Sequence, residues 1–199
     1  MNYFFALALP NKTRGEVNSA AAEWQSLTTP PRRAKWLHFE DYHLTLLFLG
    51  DLPISREGRL IEIAAPLAEA SFSFPVQLGT FDAFENLTWP RTLYISVERN
   101  EVRIELTKQL QSAFAEEGYT LDKRPPRPHV TVARHCREKD RSVWPGWPVP
   151  GERLFSPWQA TEFVLMQTLP PDKRENGAKA RYNTVHAFPF VEKLVSDVS

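Results

Sequence analysis

Two rhythms of apolar and polar positions run along this chain, and the changes between them mark its elements. Tyr3-Phe-Phe-Ala-Leu-Ala-Leu9 is an unbroken aromatic and aliphatic run, the pattern of a buried strand, and Pro10 and Asn11 end it. Residues 12–27 set Val17, Ala20, Ala21, Trp24 and Leu27 on one face at helical spacing, and Thr28-Thr-Pro-Pro31 stops that helix. His43 to Gly50 reads as a second apolar strand. Its alternation sends Leu44 and Leu46 to one face and His43 and Thr45 to the other. A turn over Asp51–Ser55, with Ser55 as a helix cap, leads into a helix over 56–70 with Leu60, Ile61, Ala64, Leu67 and Ala68 inward. Strands are predicted over 72–81 and 92–97. A helix over 100–117 follows, with Val102, Leu106, Leu110, Ala113 and Phe114 on its core face and Gly118 as terminator. The basic, proline-rich Lys123-Arg-Pro-Pro-Arg-Pro128 then delivers the chain into His129-Val-Thr-Val132, which repeats the order histidine, apolar, threonine, apolar. A stretch rich in Trp and Pro, 140–158, has no period. Strands near 160–168 and 180–188, separated by the polar segment 170–179, close the chain.

Helices alternate with strands in both halves, and each half contains one histidine–threonine strand. This order predicts an α+β fold of two similar lobes packed with a pseudo-twofold relation. No low-complexity segment or flexible linker divides them, and 199 residues suit lobes that share a core, so residues 1–199 are read as a single two-lobed domain.

Composition narrows the class. With 42% hydrophobic and 24% charged residues the chain is an ordinary globular protein, and no apolar run is long enough to span a bilayer. The N-terminus lacks the basic region and cleavage site of a signal peptide, which makes the cytoplasm the default expectation. The single cysteine, Cys136, excludes an internal disulfide, and no Cys/His cluster has zinc spacing. Lys plus Arg equals Asp plus Glu, so the net charge is zero. That argues against coating a long nucleic acid, but a single terminal phosphate needs only a local cluster. Arg32, Arg33 and Lys35 form a small basic run, read either as a solvated loop or as a phosphate-facing rim.

A polar pair on one face of an apolar strand is unusual, because polar groups removed from water need partners. Two such strands brought together would set two imidazoles and two hydroxyls around one cleft. Histidine takes and gives a proton near neutral pH, so two histidines flanking a phosphodiester can serve as base and acid in one in-line displacement. Threonine hydroxyls can donate to the nonbridging oxygens. The scheme needs no metal and no nucleotide cofactor, and there is neither a carboxylate cluster nor a glycine-rich lysine loop.

His43-Leu-Thr-Leu-Leu-Phe-Leu-Gly50 and Arg127-Pro-His-Val-Thr-Val-Ala-Arg134, with the opening strand, resemble the signature motifs of the two-histidine phosphoesterases. The bacterial and archaeal RNA 2′,3′-cyclic phosphodiesterases, once called 2′-5′ RNA ligases, are the branch they resemble most. The resemblance implies lobes of antiparallel-rich sheet with helices outside and an active-site cleft between them. It implies hydrolysis of an RNA 2′,3′-cyclic phosphate end to a 2′-phosphate, with a weak reverse 2′-5′ ligation. It also implies His43 as the acid that expels the 3′ oxygen, His129 as the base for water, and Arg134 on the phosphate. The residues alone do not separate acid from base. Strict alternation turns Arg134 away from His129 and Thr131, so its reach requires a bulge or twist after Thr131. Phe48 stands at the equivalent place, five residues after His43. It either enters the cleft to stack on a base or packs in the core.

The expected partners are RNA ends or small cyclic nucleotides, with no cofactor, metal or membrane, and the chain is expected to be a monomer. Rival readings are a phosphodiesterase for a small cyclic nucleotide or 2′-5′ oligonucleotide, and an RNA-end binding module without turnover. His38 and His135 are read as surface or satisfied residues and His186 as a core hydrogen-bonder. Tyr182 is a candidate for the cleft wall. Trp144, Trp147 and Trp158 are read either as an aromatic lid or as a rigid packed loop.

Overall fold

The computed structural model describes residues 1–27, 34–85, 89–122, 127–136, 151, 153–170 and 180–192. Among the described residues ten strands and three α-helices follow one another. They are β1 (Asn2–Ala8), α1 (Asn11–Ser26), β2 (Lys35–Trp36), β3 (His43–Asp51), α2 (Glu57–Glu69), β4 (Phe74–Val76), β5 (Leu78–Phe84) and β6 (Thr92–Val97). After these come α3 (Glu101–Glu116), β7 (His129–Arg134), β8 (Trp158–Ala160), β9 (Glu162–Thr168) and β10 (Tyr182–Pro189). The main sheet runs β10-β9-β1-β3-β7-β6-β5, with β2 on β7, and its strands pair antiparallel. The unit strand, helix, motif strand occurs twice, as β1-α1-β3 and as β6-α3-β7. The motif strands are neighbours at the centre of the sheet, so the two lobes meet there around a pseudo-twofold axis.

One face of the sheet is sealed by the helices. Phe5, Leu7, Leu44, Leu46, Val130, Val132 and Ile95 share a core with Val17 and Trp24 of α1, Leu60 and Ala64 of α2, and Leu106, Leu110 and Phe114 of α3. Each fully buried Leu, Val or Phe contributes about 1.5–3 kcal/mol. That burial locks the register, because a slip of one residue would bring histidine and threonine into this core in place of Leu44 and Val130. The opposite face carries the polar half of both motifs.

The α+β, antiparallel-rich, two-lobed architecture agrees with the expectation, and most boundaries fall within two residues of it. The departures are local. Ser55 lies in a short 3₁₀ turn, and Arg56 leads into α2 without a side-chain cap. Leu27 lies just beyond α1 and is exposed. Val102 is 47% exposed while Arg103 takes the buried position beside it, so the core face of α3 is rotated from the apolar stripe. Gly118 ends α3 with φ +84°, where Tyr119 N–H donates to the Phe114 carbonyl at 3.0 Å. Trp158 is a core residue of β8, paired with Val76, and no part of a lid; Trp144, Trp147 and Arg32 and Arg33 lie outside the described residues. His186 is exposed on β10, its ring 4.7 Å from that of Phe188, and is no core hydrogen-bonder. His38 caps the 3₁₀ turn Phe39–Asp41, and His135 is exposed. Among the described residues no helix is long and apolar enough to cross a membrane.

Candidate active site

β3 and β7 meet at Leu44 opposite Val130. Continuing that antiparallel register by one residue sets His43 beside Thr131 and Thr45 beside His129, all four on the face away from the helices. Outer strands repeat the symmetry: Ala8 of β1 pairs with His43, and Ser96 of β6 pairs with His129.

Both imidazoles are held in the same way. His43 Nδ1–H donates to the Asp41 carbonyl, and His129 Nδ1–H donates to the Arg127 carbonyl, each at 2.7 Å and each two residues upstream. A carbonyl oxygen only accepts, so the proton of each neutral ring sits on Nδ1 and the lone pair on Nε2. Aromatic rings fix the planes. His43 lies between Phe4, at 4.8 Å, and Tyr182, at 5.0 Å; His129 lies between Phe84, at 4.8 Å, and Tyr94, at 5.3 Å. The environments are nonetheless unequal, since His43 is buried and His129 is partly open to solvent.

Burial pushes the His43 imidazole down to about 4 against the opposing hydrogen bond to the Asp41 carbonyl, and the charges of Arg134 and Arg14, with that of His129 once it is protonated, act in the same direction as burial. His129 is lowered by burial as well, then by Arg134 and Arg127. Both rings are therefore neutral at pH 7 in the unliganded protein. Because the fold favours neutral His43, its contribution to stability is complete above the ordinary value of 6.5 and is lost as the pH falls from there to about 4. Over that window the loss amounts to about 3 kcal/mol. Denaturant melts at pH 7 and pH 4 are expected to differ by about that much less in His43→Asn than in the wild type, and an unchanged pH dependence would contradict the depressed value.

Arg134 lies on the same face as the histidines, and a bulge puts it there. Tyr94 pairs with Thr131 and Leu93 with Ala133, which leaves Val132 extra. Val132 and Ala133 both point into the core, so the next residue, Arg134, returns to the face of Thr131. Arg134 Nε is buried and has no hydrogen-bond partner among the described residues. The first motif bends at the equivalent place: Thr45 pairs with Ala6 and Leu47 with Phe5, leaving Leu46 extra. Phe48 is thereby turned to the open face, 53% exposed, and not into the core. With Thr45, Phe84, Arg127 and His129 it lines a cavity of about 640 Å³. Lys35, of the basic run, pairs with Arg134 at the exposed edge.

Several residues at this site escaped sequence reasoning. Arg14, in the first turns of α1, lowers His43 through its charge, and its Nε is also buried without a partner among the described residues. A lone arginine on the stripe of Val17, Ala21 and Trp24 was the available signal. Asp41 supplies the carbonyl for His43, and its Oδ1 accepts from Arg181 N–H at 2.7 Å and Tyr182 N–H at 3.2 Å. It thus ties the start of β10, and with it the Tyr182 ring, to the imidazole. Any residue offers a carbonyl, so no signal marked this one. Among the described residues no group of three or more His, Cys, Asp or Glu is placed to hold a metal.

Similar proteins place this geometry in a lineage. An RNA 2′,3′-cyclic phosphodiesterase of Geobacillus stearothermophilus is 32% identical over 96% of this chain, and the chain spans 57% of that protein's length. One of Bacillus subtilis (strain 168) is 31% identical, over 83% of this chain and 87% of its own. Among solved structures, one from Thermus thermophilus superposes with a TM-score of 0.77 at 22% identity, covering 97% of this chain and 100% of that one. Escherichia coli LigT, solved with 3′-AMP, gives 0.72 at 23% identity over 96% and 98%. At those identities the superpositions speak for the fold alone. The model of the 2′-5′ RNA ligase superfamily matches residues 16–169, a span holding both histidine–threonine strands, and the chain belongs to that superfamily.

Proposed function

We propose that this chain hydrolyses RNA ends bearing a 2′,3′-cyclic phosphate to 2′-phosphate ends. The observation that carries the reading is the pair of Nδ1-tethered imidazoles on adjacent strands, both within reach of the Arg134 charge, with Arg134 Nε buried and without a partner among the described residues. Two relatives at 31–32% identity are named RNA 2′,3′-cyclic phosphodiesterases, which supports the reaction class.

In the proposed step His129 Nε2 takes a proton from water as the hydroxyl attacks phosphorus. The bond from phosphorus to the 3′ oxygen breaks, and protonated His43 Nε2 gives its proton to that oxygen. His129 ends protonated and His43 neutral, and solvent resets both. The assignment of the two roles follows the unequal environments. Water reaches the partly open His129, whereas buried His43, the more strongly depressed base, is the better proton donor once charged. Phosphate binding favours that charged form, because its negative charge offsets the cations that depress the ring. Arg134 and the Thr45 and Thr131 hydroxyls hold the nonbridging oxygens, and Phe48 stacks on the terminal base. Each proton transfer contributes about 10²–10⁴-fold in rate. With a 5′-hydroxyl in the place of water, the same displacement of the 3′ oxygen joins the cyclic end to a second strand through a 2′-5′ bond, the proton of that hydroxyl going to His129. All residues of the scheme come from one chain, as a monomeric enzyme requires.

The test is incubation of the purified protein with EDTA and a short RNA ending in cyclic phosphate, followed by identification of the product. A 2′-phosphate end formed at an undiminished rate is expected. Loss of activity in EDTA that a divalent ion restores would overturn the metal-independent scheme.

A further inference from the structure

α3 carries a second polar pair where an apolar one is expected. Arg103 and Thr107 lie on its buried face, in line with Leu106, Leu110 and Phe114, and they are only 5% and 3% exposed. Arg103 Nε and Thr107 Oγ1 are both buried without a hydrogen-bond partner among the described residues. A buried guanidinium nitrogen without an acceptor is costly, because nothing replaces its lost hydration. Glu101, the acid whose charge reaches Arg103, is bonded to Arg99 at 2.6 Å.

The pair faces a cavity of about 480 Å³ whose wall has three cations, Arg99, Arg103 and Lys108, and no acid among the described residues. In a chain of zero net charge that wall selects for an anion. The cavity lies beside the motif strand: Pro128, immediately before His129, forms part of it, and so does Val97, next to the Ser96 that pairs with His129. Arg103, Thr107, Gln111 and Pro128 also line the 640 Å³ cavity that contains Thr45, Phe48 and His129, together with Glu85 and Asp122, so the two cavities adjoin along these four residues. Arg103 and Thr107 line both cavities whereas His129 lines only the larger one, which sets this anion site apart from the histidine.

We propose that Arg103 and Thr107 form a subsite for an internucleotide phosphate of the RNA strand, next along the chain from the cyclic phosphate held by the histidines. The inference rests on the reading of the histidine site as a cyclic phosphodiesterase and deepens it: the substrate is an oligonucleotide end rather than a cyclic mononucleotide. Arg103 gives a charged, bidentate donor and Thr107 a hydroxyl donor, which together suit a phosphodiester monoanion. Occupation of the subsite satisfies groups that are otherwise buried at a cost.

The experiment compares adenosine 2′,3′-cyclic phosphate, the dinucleotide ApA ending in cyclic phosphate, and the same dinucleotide with an uncharged methylphosphonate linkage. In the wild type the dinucleotide is expected to exceed the mononucleotide at least tenfold in kcat/KM, and the methylphosphonate should lose most of that gain. Arg103→Met and Thr107→Val should abolish the gain while mononucleotide turnover stays within about twofold. Arg103→Met should not lower Tm, since it removes an uncompensated charge. A readout without turnover is the Kd of plain ApA, whose one phosphate is internucleotide, expected at least fivefold weaker in Arg103→Met. If no cyclic substrate is turned over yet that difference in Kd persists, the phosphodiesterase reading falls and the subsite stands. A dinucleotide gain retained in Arg103→Met, or an unchanged Kd for ApA, overturns the subsite.

Discussion

His129→Ala is expected to lower kcat/KM on a cyclic-phosphate RNA end by about 10²–10⁴-fold, and His43→Ala by a similar factor. The two losses should differ in what repairs them. If His43 only protonates the departing 3′ oxygen, a substrate with sulfur at that position, whose thiolate leaves without a proton, should recover much of the rate in His43→Ala. It should recover none in His129→Ala, where no group is left to activate water. The reverse pattern would show that acid and base are exchanged. Folding has to be followed beside the kinetics, because the two sites differ in burial. His129 is partly open, so its removal leaves little empty space. His43 fills a place between Phe4 and Tyr182, and truncation there costs about 2–3 kcal/mol in lost packing. A melting curve lowered by that amount alongside an intact circular dichroism spectrum is compatible with a chemical role. Loss of the fold would leave His43→Asn, closer in volume, as the variant to assay.

Arg134 is the second position where a large effect is expected. Removing a fixed charged donor from a phosphoryl-transfer site costs about 10²–10³-fold, so Arg134→Ala should lose that much in kcat/KM. Arg134→Lys should recover only part, because an ammonium cannot copy the planar two-point grip. Thermal stability should hold or rise, since Arg134 Nε is buried without a partner among the described residues. A further readout separates charge from scaffolding. The Arg134 charge lowers both histidines, so its removal should move both imidazole titrations upward when followed by NMR. Near-normal turnover in Arg134→Ala, with unmoved titrations, would remove the residue from the site and would take with it the symmetry argument for Phe48.

The same residue shows where sequence reasoning met its limit. Period-two alternation assigns Arg134 to the face opposite His129, and alternation is what made the motif legible at all. The bulge at Val132 reverses the assignment, and nothing in Val-Ala-Arg announces a bulge. It arises because Leu93 and Tyr94, adjacent on the neighbouring strand, take up partners two apart rather than one, at Ala133 and Thr131. The matching bulge at Leu46 turns Phe48 outward in the same way. α3 repeats the lesson at a different period. Val102 fits the apolar stripe as well as Arg103 fits a solvent face, yet their burial is exchanged, with Arg103 turned to a cavity beside β7.

Local physics made a definite set of features legible in the chain by itself. Two apolar strands each carry a histidine and a threonine on one face; amphipathic stretches define three helices; Gly118 stops the third; and the order strand, helix, motif strand occurs twice. Each follows from side-chain geometry within a few residues, which any partner element must accept. Tertiary structure decided the rest: the pairing of β3 with β7 at Leu44 and Val130, the bulges that re-aim Arg134 and Phe48, the carbonyl tethers that leave Nε2 free, and the arrival of Arg14, Asp41 and Tyr182 around His43. These depend on which backbones lie side by side and on how much water they exclude. A carbonyl tether carries no residue signature, a bulge belongs to a pair of strands, and the depressed imidazoles are a consequence of burial, which exists only once distant parts of the chain have packed together.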